Sequence, residues 1–232
     1  MTSIQDIKED GSSSIAQAIT QISKVIEPKA RLVAVTKTKP VAMLQEAYEA
    51  GCTLFGENKA QEMADKYGQL PKDIAWHMIG HLQTNKVKYI APFVALIHSV
   101  DSLKVLQEIN KQAVKNNRVI ECLLQIHIAE EESKFGFSPE EVIELLDSEE
   151  FATLMNVRII GLMGMATNTD SETQIRKEFK GLRAFFDVLH ARETDRVTMR
   201  ELSMGMSGDY QIAVEEGSTL VRVGSAIFGT RS

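Results

Sequence analysis

The chain, 232 residues long, has little of what marks several common protein classes. Its only cysteines, Cys52 and Cys122, are far apart and each lies in an apolar strand-like segment, so buried reduced thiols are expected rather than a disulfide. Gly 14 and Pro 5 indicate neither a disordered tract nor a fibrous repeat. No apolar run reaches the roughly 18 residues of a membrane-crossing helix. Met1-Thr2-Ser3-Ile4-Gln5-Asp6 lacks the basic and apolar regions of a signal peptide, so the expected location is cytoplasmic. Positive charge is also short: Lys+Arg 26 against Asp+Glu 32 leaves a net charge of −6, the wrong sign for a nucleic-acid footprint.

Familiar motifs are missing too. No Walker A occurs, and no Gly-x-Gly-x-x-Gly opens a helix after a strand. Gly205-Met206-Ser207-Gly208-Asp209 lacks the final glycine of a nucleophile elbow. His77 and His81 fall on and just after a strand without the His-Glu-x-x-His pattern, so no metal site is expected there. Glu130-Glu131-Glu132, with Lys134 nearby, reads as an acidic loop.

What is present is a strand-like run followed by a helical run, repeated every roughly 20 to 40 residues. The strands are Arg31 to Thr36, Cys52 to Phe55, Ala75 to Ile79, Ala95 to Val100, Ile120 to Ile128, Arg158 to Met163, Arg200 to Ser203 and Leu220 to Val223. The first is continuously apolar in its middle, as a strand buried on both faces should be. Helices are expected over Val41 to Ala50 and Ser102 to Lys115, and from Ser138, an N-cap followed by Pro139, Glu140 and Glu141. An opening helix from Ser14 to Ile26 puts Ile15, Ile19, Ile22 and Ile26 on one face, suited to covering the barrel bottom or packing outside. This order fits a single (β/α)8 barrel domain over 1–232, with residues 1–30 as a helical segment packed on it. An open doubly wound sheet gives the same linear pattern.

In both architectures ligands collect at the carboxyl ends of the strands. Lys37 follows directly on the first strand, where desolvation would lower its pKa and leave more of the free amine that attacks an aldehyde. A surface lysine at a loop start is the plainer alternative, and Lys39 is the competitor expected to be more exposed. Gly224 and Ser225 follow the eighth strand, and Ser207 precedes a helix over Asp209 to Glu216; such loops often hold phosphate on backbone N–H groups.

These residues belong to longer motifs. Leu32-Val33-Ala34-Val35-Thr36-Lys37-Thr38-Lys39-Pro40, Phe55-Gly56-Glu57-Asn58, Trp76 through Lys86 and Ser99 through Ser102 are followed by Glu132 through Phe137, Gly161-Leu162-Met163, Leu202 through Ser207 and Val221 through Gly229. In this order they resemble the YggS/PROSC family, the pyridoxal phosphate homeostasis proteins, over nearly the whole chain. The resemblance implies a barrel like the N-terminal domain of alanine racemase, with pyridoxal 5′-phosphate (PLP) held as a Schiff base on Lys37. It further implies Ser207 and the backbone of Gly224 and Ser225 at the phosphate, Arg222 at the pyridine nitrogen and Asn58 near the ring. Lys59, where the family often has Tyr, and Gly164-Met165-Ala166-Thr167 depart from the family pattern at the rim.

Two functions follow as expectations. A cation beside the pyridine nitrogen disfavours its protonation and makes the ring a weaker electron sink. The chain also ends just after the eighth strand, leaving no room for the second domain of racemases, and no catalytic acid or base is assigned. A PLP-holding protein, monomeric and serving PLP-requiring apoenzymes, is therefore expected ahead of a PLP-dependent amino-acid racemase. A cofactor-free Schiff-base aldolase fits the phosphate cradle less well.

Overall fold

Eight short strands, each buried through most of its length, can satisfy all their backbone groups only by closing on one another. The computed structural model, which describes residues 14–130 and 135–229, shows that closure. The elements run α1 (Ile15–Ile26), β1 (Arg31–Val35), α2 (Val41–Glu49), β2 (Leu54–Glu57), α3 (Ala60–Gln69), β3 (Ala75–Met78), α4 (Val87–Ile90) and β4 (Leu96–Val100). They continue with α5 (Leu103–Lys115), β5 (Ile120–Gln125), α6 (Pro139–Asp147), α7 (Glu149–Ala152), β6 (Val157–Met163), α8 (Glu172–His190), β7 (Val197–Ser203), α9 (Tyr210–Glu215), β8 (Leu220–Val223) and α10 (Ser225–Phe228).

All neighbouring strands are parallel, and β8 returns to β1 with Leu32 opposite Val221 and Val33 opposite Arg222. The expected (β/α)8 barrel is therefore present and the open sheet is not. The observed strands differ from the sequence reading mainly at their ends. β5 stops at Gln125 instead of Ile128, and β7 begins at Val197, three residues before Arg200. The acidic loop through Glu132 and Lys134 lies largely outside the described residues.

The helices form where their caps predicted. Ser138 accepts from the Glu141 N–H while the Glu141 carboxylate accepts from the Ser138 N–H, a reciprocal cap closed by Pro139 in the first turn. Ser14 and Gln17 do the same for α1. That helix packs outside the barrel against β1, α2, α9 and α10, over the β1–β8 seam, rather than across the barrel floor. Its buried isoleucines, Ile15, Ile19, Ile22 and Ile26, are the row its periodicity marked.

Two apolar layers result. The larger lies between strands and helices and includes Trp76 edge-on to Phe55, with ring centroids 5.7 Å apart. The smaller, Val33, Leu96, Leu123, Ile160, Met163 and Leu220, fills the barrel. Cys52 and Cys122 are buried and unpaired, and burial raises the Cys52 thiol to about 11. Gly161 lets β6 and β7 meet: a Cβ there would lie 1.7 Å from the Glu201 carbonyl oxygen.

Candidate functional site

The polar residues of the barrel gather at its carboxyl end and run down through its interior. Lys37 lies just beyond β1, and the two-residue alternation of a strand places it in the row of Val33 and Val35. It is half-buried, and its amine has no hydrogen bond or ion pair among the described residues. Lys39 is half-buried as well, so exposure does not separate the two. Bonding does: Lys39 Nζ donates to the carbonyls of Phe228 and Gly229, both at 3.0 Å, and is committed to the end of α10.

Beneath Lys37 is a buried ionic cluster that the sequence reading did not single out. Lys66, on α3, donates to Glu57 Oε1 at 2.6 Å and to Glu62 Oε1 at 2.7 Å. Glu57 was visible only as part of a motif. The single cue to the rest was the four-residue spacing of Glu62 and Lys66 on one helix face. Burial pushes the Glu57 carboxyl up, and hydrogen bonds from Lys66 and Thr36 oppose it.

Asn58 follows β2 and is half-buried. Its backbone lies so near the turn after β3 that a Cβ on Gly80 would meet Asn58 O at 2.5 Å. Across the mouth, Gly224 N–H donates to Ser207 Oγ at 3.3 Å, joining the loops after β7 and β8. The N–H groups of Ser225 and Ala226 have no partner among the described residues. Asp209 Oδ1 accepts from the Met206 N–H at 2.6 Å and closes the turn that carries Ser207. A Cβ on Gly224 would come within 3.1 Å of Val35, so the backbone there approaches β1 closely. Hydroxyl and amide donors with little side-chain bulk suit a phosphate-sized anion.

Arg222 is buried in the barrel at 4% exposure. Its Nη1 donates to Ser203 Oγ at 2.5 Å and its Nη2 to the Gly164 carbonyl at 3.1 Å. Ser203 in turn contacts His98, which contacts His77, so one polar chain crosses from β8 through β7 and β4 to β3. Burial pulls the guanidinium down to about 10, with the Asp209 carboxylate acting in the other direction, so it is cationic at neutral pH. His98 and Ser99 are polar residues within a fully buried strand, a signal left unread in the sequence.

The rim departure at Gly164 to Thr167 has a structural account. A Cβ on Gly164 would lie 2.7 Å from Leu182, and Glu178 pins the loop by accepting from Thr167 N–H and Oγ1, both at 2.7 Å. Met165 and Met206, with Phe135, present exposed apolar surface around a cavity of about 220 Å³ beside the mouth. His81 stacks on Phe135 and contacts Asp101 at 3.0 Å, so it belongs to the rim, whereas His77 belongs to the interior. Among the described residues no three His, Cys, Asp or Glu side chains cluster as a metal site, and no helix is long and apolar enough to cross a membrane.

Comparison with known proteins agrees with this architecture. The family described as alanine racemase, N-terminal domain, matches residues 12–232. A pyridoxal phosphate homeostasis protein of Aquifex aeolicus is 42% identical over 203 residues, covering 87% of each chain. The solved structure of PipY from Synechococcus elongatus with PLP bound is similar at 33% identity and TM-score 0.84, covering 93% of this chain and all of that one. Alanine racemase from Bartonella henselae shares the fold at 17% identity and TM-score 0.70, covering 93% of this chain and 58% of its own.

Proposed function

Because the chain belongs to the pyridoxal phosphate homeostasis protein family, built on the alanine racemase N-terminal domain, we propose that it binds PLP at the barrel mouth and serves intracellular PLP homeostasis. The observation that carries this is the pairing of an amine with no partner, on Lys37, and a loop cradle with unspent donors. The residues present fit the cofactor's phosphate: Gly224 adds no side chain to the cradle, and Ser207, Ser225 and Ala226 offer hydroxyl and amide donors.

PLP supplies an aldehyde, which a free primary amine converts to a Schiff base with release of its oxygen as water. Lys37 provides that amine. Ser207 and the backbone N–H of Ser225 hold the phosphate, joined by the Gly224 N–H once it leaves Ser207 Oγ. Arg222, fixed by Ser203 and Gly164, faces the ring nitrogen and keeps it unprotonated, and Asn58 lines the ring. A cationic neighbour at that nitrogen weakens the ring as an electron sink, which favours holding and delivering PLP over fast turnover. On this reading the protein is one barrel domain, cytoplasmic and monomeric, with PLP-requiring apoenzymes as recipients.

Borohydride reduction of the PLP-loaded protein, followed by peptide mass analysis, should place one pyridoxyl group on the Lys37 peptide. Label on Lys39, or none, overturns the assignment. An amino-acid panel assay beside PLP transfer to an apoenzyme separates carrier from racemase, since transfer without turnover is expected and Lys37-dependent racemisation at enzymatic rates would reverse the reading.

A further inference from the structure

Thr38 has φ of 63°, the left-handed region that a β-branched residue adopts only at a cost. Such a conformation persists where the surroundings over-determine it. Lys66 Nζ has three N–H donors and spends them on Thr36 O at 2.7 Å, Glu57 Oε1 at 2.6 Å and Glu62 Oε1 at 2.7 Å. Glu62 Oε1 also accepts the Thr38 N–H at 2.6 Å, and Thr36 Oγ1 donates to Glu57 Oε1 at 2.6 Å. The Thr36 carbonyl belongs to the peptide group before the Lys37 α-carbon and the Thr38 N–H to the one after it. Both are therefore held from α3, on the outer side of the barrel, while the Lys37 side chain is left free.

Stability alone does not call for this arrangement. Glu57 is fully buried and Lys66 is 6% exposed, and a buried ion pair is commonly no more stabilising than apolar side chains of the same volume. Among the described residues Glu57 Oε2 has no hydrogen-bond partner, so the cluster carries a buried oxygen that they leave unsatisfied.

We propose that Glu57, Lys66 and Glu62 are positioning residues for Lys37, an ionic bracket that fixes both of its peptide groups and the Thr38 turn and so presents its amine to the barrel mouth. The inference rests on the reading of Lys37 as the anchoring amine, and it makes the bracket a pre-organising device that acts before any ligand arrives.

The test begins with PLP-free protein. Lys66→Met strands the buried Glu57 carboxylate and risks unfolding, so Glu62→Ala carries the experiment, its side chain being 24% exposed in the parent. With circular dichroism and melting cooperativity retained, hydrogen exchange at the Thr38 amide should rise, and attachment of PLP to Lys37, followed by borohydride trapping, should slow by about tenfold. Glu62→Gln keeps an oxygen for the Thr38 N–H and should recover most of the rate. Parental Thr38 exchange and parental attachment in Glu62→Ala would overturn the proposal, as would a Glu62→Gln variant no faster than Glu62→Ala. Failure of the anchor reading is seen separately: a Lys37→Ala protein that still took one pyridoxyl label would discard Lys37 without changing the Thr38 exchange result.

Discussion

His98 Nδ1 lies 2.9 Å from Ser203 Oγ, joining β4 to β7 across the inside of the barrel. Arg222 can only donate, so Ser203 Oγ accepts from it and its own hydrogen is free to go to His98 Nδ1. His98 then carries its proton on Nε2 and donates to His77 Nδ1 at 2.9 Å. Donation runs one way, from the guanidinium inward. Ser203→Ala removes one oxygen and strands two buried groups, so urea unfolding should show a loss of about 1–3 kcal/mol. Loss of PLP should accelerate in parallel, because Arg222 is released from β7.

The same two histidines give stability a pH dependence. Burial holds His77 down to about 3, with Arg31 adding to it, and burial, His77 and Arg222 hold His98 well below its ordinary value. The unfolded chain protonates both near about 6.5 while the folded chain does not. Their contribution is thus complete above that pH and is lost as pH falls below it, for His77 down to about 3, on the order of 1 kcal/mol per pH unit for each histidine. Urea midpoints measured between about pH 7.5 and about pH 5 should show the decline. His77→Gln should flatten it, and a slope equal to the parent's would count against this account.

Glycine substitutions should separate fold from ligand. Gly161 has φ of 155° and its Cβ would collide with the Glu201 backbone, so Gly161→Ala should cost more than about 4 kcal/mol and yield little folded protein. Gly224→Ala meets Val35 at 3.1 Å, a contact that a small shift relieves. It should fold with near-parental stability yet bind PLP about tenfold more weakly in equilibrium dialysis, because the shift displaces the N–H groups of the cradle.

Lys39 offers a control for the anchor. Its two bonds go to the carbonyls of Phe228 and Gly229, so Lys39→Ala should lower stability by about 1 kcal/mol while leaving the borohydride label on Lys37. Thermal melting and peptide mapping of one sample read both effects. A label that disappears in Lys39→Ala would show that the wrong lysine had been chosen.

Much of this molecule is readable without its fold. The apolar run through Val33, the isoleucine row of α1 and the Ser138 cap each depend on neighbours within a few residues, and each formed as its local chemistry directs. Lys37, Ser207, Gly224 and Ser225 were singled out because they follow strands, where barrels expose their ligand loops, whereas Arg222 entered only through the family resemblance.

The bracket around Lys37 and the chain behind Arg222 were not readable in this way. Glu57 and Lys66 come from different elements, and His98 and Ser203 are 105 residues apart. Such pairs exist only because β8 closes on β1, setting Val33 opposite Arg222, and α3 lies over the strands. Strand pairing is made by backbone groups that nearly every residue carries, so side-chain pattern says that a strand forms and not which strand it joins. Local pattern was enough to mark the strands and helices to within a few residues and the chemistry available near their ends. The tertiary structure decided which charges were buried together, and hence which lysine was tied down and which was left free.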